Sequence, residues 1–151
     1  MPEDHILVRT AGLYGVAGAS GKGGNFIETM LRYQREGRPI RVVQDQISTP
    51  TYTLDLADTF LQLVAKQGRG TFHITNAGEC SWYEVAEELF ARLELDADLK
   101  PTTSLEFAAR ALRPAYSVLA NHRLRELDIA QPRFWREALE DYLRLKGRLA
   151  A

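Results

Sequence analysis

The chain has 151 residues, a hydrophobic share of 45% and a formal net charge of −1 at pH 7. These values fit one globular domain with a sizeable core and argue against broad binding to nucleic acid or to an anionic membrane. Cys80 is the only cysteine, which excludes internal disulfides and cysteine-based metal sites and favours a reducing, cytoplasmic location. No apolar run reaches membrane-spanning length, and acids precede the first apolar run, so we expect neither a membrane span nor a signal peptide.

A strand, a helix and a second strand are predicted at the start of the chain. The run "HILVRT" (5–10) is short, apolar and β-branched, which is typical of a strand. A glycine-rich loop follows, and Asn25 then has the chemistry of a helix N-cap, with Glu28 three residues on. The run "PIRVV" (39–43) predicts the second strand. The apolar face expected on the helix consists of Phe26, Ile27, Met30 and Leu31.

The middle of the chain predicts two further helices around a third strand. Asp55 is expected to cap the helix "LADTFLQLVAKQ", and the alternation in "TFHIT" predicts the strand. Ser81 and Glu84 match a capping box at the start of the next helix. The buried positions expected on the two helices are Leu56, Phe60, Leu63, Val64, Val85, Ala86, Leu89, Phe90 and Leu93.

The last third has a less regular pattern. Thr103 and Glu106 form another capping box, and the helix they begin is expected to end before Pro114. The run "YSVL" predicts a short strand, Asn121 is expected to cap a brief helix, and Pro132 is expected in the first turn of a final one. The large aromatic residues assigned to the core are Trp82, Phe134 and Trp135. The alternation of strands and helices predicts an α/β fold with an at least partly parallel sheet.

Three patterns imitate cofactor or catalytic motifs. A G-x-x-G-x-x-G spacing begins at Gly12, but the helix that it should open is delayed to Asn25, so a stand-alone dinucleotide binder is the less favoured alternative. The run "GASGKGG" lacks two residues that a phosphate loop requires. Tyr142 and Lys146 have Tyr-x-x-x-Lys spacing, but they lie on an amphipathic helix at the chain's end, which favours a structural role.

Several segments together resemble the C-terminal half of the dTDP-4-dehydrorhamnose reductases, which are extended short-chain dehydrogenases. They are "ILVRTAGLYG", "NFIETMLRY", "RVVQDQISTPTYTLDLA", "TFHITNAGECSWYEVAEELF" and "RPAYSVLANHRL". The resemblance implies the C-terminal part of an extended Rossmann-type fold with a small α/β substrate-binding subdomain. It also implies that residues 1–151 form a single substrate-binding half, without the dinucleotide-binding half and without catalytic residues in this chain.

The resemblance implies a reaction and its participants. NADPH or NADH, bound mainly by the missing half, reduces the 4-keto group of dTDP-6-deoxy-L-lyxo-4-hexulose to give dTDP-L-rhamnose. The expected partners are a dTDP-sugar, a cofactor-binding half and further copies in a homo-oligomer. Mg²⁺ is possible in the family, although no ligands for it are identified here.

The resemblance also implies site residues. Arg113 is expected to bind the diphosphate, and Asn25 to lie near it while capping its helix. Gln46, Ser48 and Thr51 are expected to line the nucleotide-sugar pocket. Gly12 stands where many family members have tryptophan and is expected beside the sugar. The backbone of Ala11, Gly12 and Leu13 is expected near the nicotinamide.

Two alternatives stay open at this point. The chain could be a fragment of another sugar-nucleotide epimerase or dehydratase, which would share the phosphate contacts. It could also resemble the non-catalytic regulatory subunits of methionine adenosyltransferase, which are related to these reductases but serve as binding partners.

Overall fold

The computed structural model describes residues 5–18, 24–108, 111 and 113–149. The strands are β1 Ile6–Arg9, β2 Leu13–Tyr14, β3 Ile40–Val43, β4 Ile47–Ser48, β5 Thr51–Tyr52, β6 Gly70–His73, β7 Cys80–Ser81 and β8 Leu99–Thr102. The helices are α1 Phe26–Arg35, α2 Thr53–Ala65, α3 Trp82–Arg92, α4 Ser104–Phe107, α5 His122–Arg125 and α6 Trp135–Leu145.

The strands associate in pairs, and most of the pairs are parallel. β1 pairs with β6, β2 with β5 and β3 with β8 in parallel, whereas β4 and β7 are antiparallel. Parallel strands need a crossover between them, and α1, α2 and α3 each follow one strand and precede another. The α/β class with parallel pairing, predicted from the alternation of elements, is confirmed.

Local capping chemistry explains where two of the longer helices begin. The Asn25 side chain accepts a hydrogen bond from the Glu28 backbone N–H at 3.0 Å. Ser81 accepts one from the Glu84 N–H at 3.1 Å, and the Glu84 carboxylate accepts one from the Ser81 N–H at 2.7 Å. Both caps satisfy backbone donors that the first turn of a helix leaves free, and both predictions are confirmed.

Two hydrophobic clusters form the core. The larger one joins α1, α3, α6 and β3, and its fully buried members include Leu89, Trp135 and Leu143. The smaller one lies between β1, β6, α2 and α5, around Leu63 and Phe72. The apolar faces predicted for α1 and α3 are confirmed, since all of their predicted positions are buried in the larger cluster or packed against it.

The start of α2 differs from the prediction. The helix begins at Thr53 with Tyr52 at the N-cap position, so the assignment of Asp55 as the cap is wrong. Asp55 lies in the first turn, where its carboxylate accepts hydrogen bonds from the Arg133 guanidinium and from the Asn76 amide. A charged partner far along the chain therefore determines the role of this carboxylate.

The apolar repeat of α2 is only partly buried. Leu63 is fully buried, whereas Phe60 and Val64 are exposed, so the prediction of a single buried stripe is wrong for these two positions. Leu54 and Leu61 on the same helix are exposed as well. α2 therefore presents apolar side chains both to the core and to the outside.

The last third contains most of the other differences. β8 includes Pro101 and was not predicted, because "LKPT" has no apolar alternation; proline is tolerated in such an edge strand. The run "YSVL" forms only one isolated bridge, from Tyr116 to Ile47, and is not a strand. α4 ends at Phe107, and 109, 110 and 112 of the longer predicted helix lie outside the described residues.

The two final helices begin differently from the prediction. α6 begins at Trp135, and Pro132 precedes it, so Pro132 is not in its first turn. Asn121 occupies the N-cap position of α5 but makes no capping bond. Its side chain instead bonds the backbone of Thr75, accepting from the N–H at 3.2 Å and donating to the carbonyl at 2.8 Å.

The motif-like patterns have structural explanations where they are described. α1 begins at Phe26, so the helix that the glycine spacing should open does not start directly after Gly18. Residues 19–23, which contain most of the phosphate-loop-like run, lie outside the described residues. Tyr142 is fully buried, its hydroxyl donates to Glu28 at 2.7 Å, and burial raises its pKa. The structural interpretation of the Tyr142 pattern is confirmed.

Candidate functional site

The segment 44–52 is tied to the rest of the fold on both of its sides. β4 pairs with β7, and the backbone of Ile47 also bonds to Ala115 and Ser117. β5 pairs with β2, and the Thr51 N–H donates to the Gly12 carbonyl at 3.1 Å. The loop is therefore a junction that joins the end of β1, the start of α3 and the segment after Arg113.

Two adjoining cavities form one cleft above this junction. Their volumes are about 260 Å³ and about 170 Å³, and they share Gln46, Trp82 and Arg113 as lining residues. The larger cavity is also lined by Phe26, Arg41, Val42, Val43 and Phe107. The smaller one is also lined by Ala11, Gly12, Ser48, Pro114 and Ser117.

The two ends of the cleft differ in chemistry. The end beside Phe26 is aromatic, since this ring packs against Trp82 with centroids 4.8 Å apart, and Phe107 lines the same cavity. The end beside Gly12 is bordered by backbone and by small polar side chains. Arg113 borders both ends, so a cation lies where the two cavities meet.

Asp45 and Gln46 act through a common neighbour. Both carboxylate oxygens of Asp45 lie 2.9 Å from the Ser104 N–H, and the Ser104 hydroxyl donates to one of them at 2.8 Å. The Gln46 amide donates to the same hydroxyl at 2.9 Å. The bonds from Ser104 hold the pKa of Asp45 below its usual value, so the carboxylate is ionised and anchors the start of α4.

Gly12 is required by its position. Its φ is +57°, a conformation that favours glycine, and an added Cβ would lie 2.8 Å from the Thr49 carbonyl oxygen and 3.1 Å from the Pro50 Cα. A side chain at this position would need a different path of the backbone at Thr49 and Pro50. The absence of a tryptophan here is therefore coupled to the close approach of the 44–52 segment.

Five of the predicted site residues border the cleft together. They are Ala11, Gly12, Gln46, Ser48 and Arg113.

Three predicted site residues do not line the cleft. The Thr51 hydroxyl is buried and donates to the Thr49 carbonyl at 3.3 Å. The Asn25 amide is buried as well and donates to the Gly15 carbonyl and to the Tyr142 hydroxyl, both at 3.1 Å. Leu13 pairs with Thr51 and is exposed on the outside.

Several lining residues were missed from the sequence. Trp82 was assigned to the core and Phe26 to a helix face, yet both border the cleft, and Phe107 and Arg41 received no role. The signal that could have found Phe107 is its place directly after a capping box, where a large aromatic residue in a short exposed helix has no core to fill.

Within the part of the chain that the structure describes, no group of three or more His, Cys, Asp or Glu side chains could hold a metal ion. No helix in those ranges is long and apolar enough to cross a membrane.

Comparisons with known proteins identify the class to which this fold belongs. The crystal structure of dTDP-4-dehydrorhamnose reductase from Bacillus anthracis, in complex with NADP, matches with a TM-score of 0.86 and 37% identity over 93% of this chain and 48% of that one. The fold is thus the C-terminal, substrate-binding part of a Rossmann-type enzyme. The model of the RmlD substrate binding domain matches residues 1–146, and the chain belongs to this family.

Two curated relatives are similar over nearly the whole chain. The spore coat polysaccharide biosynthesis protein SpsK from Bacillus subtilis is 40% identical over 93% of this chain and 47% of its own length. A dTDP-4-dehydrorhamnose reductase from Streptomyces griseus is 40% identical over 98% of this chain and 49% of its own length. The chain therefore spans about half the length of the curated relatives it matches.

Proposed function

We propose that this chain is the nucleotide-sugar-binding half of an NAD(P)H-dependent dTDP-4-dehydrorhamnose reductase. In that reaction, hydride reduces the 4-keto group of dTDP-6-deoxy-L-lyxo-4-hexulose to give dTDP-L-rhamnose. The observation that carries the proposal is the cleft, in which Arg113 lies between an aromatic end and a polar, backbone-lined end. Membership of the RmlD substrate-binding family and the activity named for the Streptomyces griseus relative support it.

The cleft fits an extended nucleotide sugar with its base at the aromatic end and its sugar at the polar end. A guanidinium can bind two oxygens of a diphosphate at once, which suits Arg113 at the junction of the cavities. Phe26, Trp82 and Phe107 offer π faces to a nucleobase at one end. The sugar then lies at the other end, beside Gly12.

Polar residues at the sugar end have different proposed roles. Gln46 and Ser48 line the cleft and supply amide and hydroxyl groups that suit sugar hydroxyls. Thr51 and Asn25 support the site indirectly, since their side chains are buried and bonded within the protein. Thr51 holds the Gly12 backbone, and Asn25 fixes the start of α1 next to Phe26.

The cofactor belongs at the sugar end in this proposal. A small side chain at Ala11 and none at Gly12 leave a backbone wall against which the nicotinamide ring fits, and the neighbouring Leu13 would border it from outside. When bound, the nicotinamide supplies the hydride. Ala11 and Gly12 contribute shape, and no side chain among them can donate a proton.

A second α/β unit is the proposed partner that binds most of the cofactor. The carbonyls of His5 and Arg9 accept hydrogen bonds from the N–H groups of Gly70 and Ile74 at the two ends of β6. The N–H and C=O groups of Ile6 and Val8 therefore point to the opposite edge of β1. No strand in the described ranges pairs with that edge. Parallel sheets are normally covered on both faces, and the exposed apolar side of α2 offers a matching surface for such a partner.

Separate titrations with product and with cofactor test the proposed function. We expect the purified chain to bind dTDP-L-rhamnose saturably in isothermal titration calorimetry and to bind NADPH far more weakly. We also expect no oxidation of NADPH when the chain is mixed with a 4-keto dTDP-sugar, because a catalytic Tyr-x-x-x-Lys pair is not available in the cleft. Tight NADPH binding without binding of dTDP-L-rhamnose would contradict the proposal.

A further inference from the structure

An exposed aromatic residue stands on a very short helix at the nucleobase end of the cleft. Phe107 ends α4, which has only 4 residues and none that is buried. Its side chain is 57% exposed, yet it lines the larger cavity together with Phe26 and Trp82. Packing against the core therefore does not explain why this element is helical or why it carries a phenylalanine.

α4 is held in place by hydrogen bonds and not by packing against the core. Ser104 is the first residue of α4. Its N–H and hydroxyl donate to the Asp45 carboxylate at 2.8 to 2.9 Å, and its hydroxyl accepts from the Gln46 amide at 2.9 Å. An isolated helix of this length is unstable in water, since forming the first turn fixes several torsions for one hydrogen bond. The bonds to Ser104 therefore stabilise a helix that would not form in isolation.

A second set of bonds acts at the same end of the helix. The Glu106 carboxylate accepts from the Thr102 hydroxyl at 2.9 Å and from the Thr103 N–H at 3.3 Å, and the Thr103 hydroxyl accepts from the Glu106 N–H at 3.2 Å. Thr102 belongs to β8, which pairs with β3 beneath the cleft. Asp45 and Gln46 follow β3, and Thr102 ends β8, so hydrogen bonds anchor α4 to the ends of both strands. Phe107 is the residue of α4 that lines the cleft.

We propose that Asp45 and Gln46 act through Ser104 as positioning residues that fix Phe107 for stacking on the nucleobase of the bound nucleotide sugar. This inference rests on the proposed function and adds the residue that recognises the base and the device that orients it. Stacking on an aromatic side chain suits a base because every base has a π face. If the ring is already oriented before the ligand binds, the entropic cost of ordering it during binding is avoided.

Substitutions at Phe107 separate stacking from simple apolar contact. We expect Phe107→Leu to weaken binding of dTDP roughly tenfold, within the range for loss of one base–aromatic stack. Phe107→Tyr keeps the ring and is expected to bind dTDP like the unmodified chain. Because Phe107 is exposed, both variants should unfold at the same urea concentration as the unmodified chain. Calorimetric titration with dTDP measures the affinities.

A double-mutant cycle tests the positioning role of Asp45. Asp45→Ala is expected to weaken dTDP binding by a factor similar to Phe107→Leu, and to have little further effect when combined with it, because both act on one interaction. Asp98→Ala is the matched control: Asp98 is an exposed acid that pairs with Lys100 outside the cleft, and we expect no change in affinity.

The outcomes of these experiments are distinct. If Phe107→Leu leaves dTDP affinity unchanged, or if Phe107→Tyr loses as much affinity as leucine does, the stacking role is overturned while the proposed function stands. Fully additive effects of Asp45→Ala and Phe107→Leu would overturn the positioning role. If the unmodified chain binds no dTDP, the proposed function fails and this inference fails with it.

Discussion

Replacing Arg133 with methionine is expected to lower the free energy of unfolding by about 3 kcal/mol, near the lower end for breaking a buried ion pair. The Arg133 guanidinium donates to the Asp55 carboxylate at 2.8 to 3.1 Å and to Asp141 at 2.8 Å. The Asp55 side chain is only 12% exposed, so methionine would leave this carboxylate with Asn76 as its remaining side-chain partner. Arg133 itself is 34% exposed, and water can replace part of what is lost.

Urea denaturation followed by circular dichroism measures this change. Arg38→Met is the matched control, because Arg38 forms an exposed pair with Glu36 that should contribute less than about 1 kcal/mol. Equal urea midpoints for the two variants would show that the contacts from Arg133 to Asp55 on α2 and to Asp141 on α6 do not stabilise the fold. Methionine keeps most of the aliphatic stem of arginine, so a difference between the variants reports on the charged contacts.

Replacing Arg113 with methionine is expected to weaken binding of dTDP-L-rhamnose by roughly 10-fold to 100-fold, since a hydrogen bond to a charged group contributes about 1.5–3 kcal/mol. Arg113 borders both cavities of the cleft, where the diphosphate is proposed to lie. Arg113→Lys should recover only part of the affinity, because an ammonium cannot bind two phosphate oxygens in the planar geometry of a guanidinium. Titration calorimetry at fixed salt concentration measures all three proteins.

Arg125→Met provides the control for this experiment. Arg125 ends α5 on an exposed surface away from the cleft, so its replacement removes one positive charge without touching the site. We expect its affinity for dTDP-L-rhamnose to match that of the unmodified chain. A similar loss in both variants would mean that net charge, and not a contact at Arg113, governs binding.

Predictions from the sequence succeeded where neighbouring residues determine the structure. The capping boxes at Ser81 and Thr103 involve partners three residues away, and both form as expected. The cap expected at Asp55 failed because its carboxylate is bound by Arg133, 78 positions later. Local chemistry cannot reveal a partner at that distance. The prediction that Phe60 and Val64 of α2 are buried failed for a related reason, since periodicity identifies apolar faces but not what covers them.

The residues of the candidate site likewise divide into those that were predicted from the sequence and those that were missed. The resemblance to a family identified Gly12, Gln46, Ser48 and Arg113, which the fold brings to one cleft. Composition gave no such signal, because the cleft residues come from several separate parts of the chain. The aromatic end was missed since a large apolar side chain is usually assigned to the core. Phe107 differs from that rule because hydrogen bonds, not burial, hold the helix that carries it.

Mapping the bound ligand by NMR tests the central claim most directly. Amide and indole signals of the isotopically labelled chain would be followed during titration with dTDP-L-rhamnose. We predict that the largest shifts belong to Gly12, Gln46, Trp82, Phe107 and Arg113, and that the exposed apolar side of α2 is unchanged. Shifts confined to α2, or an absence of shifts at saturating ligand, would contradict a nucleotide-sugar site in this cleft.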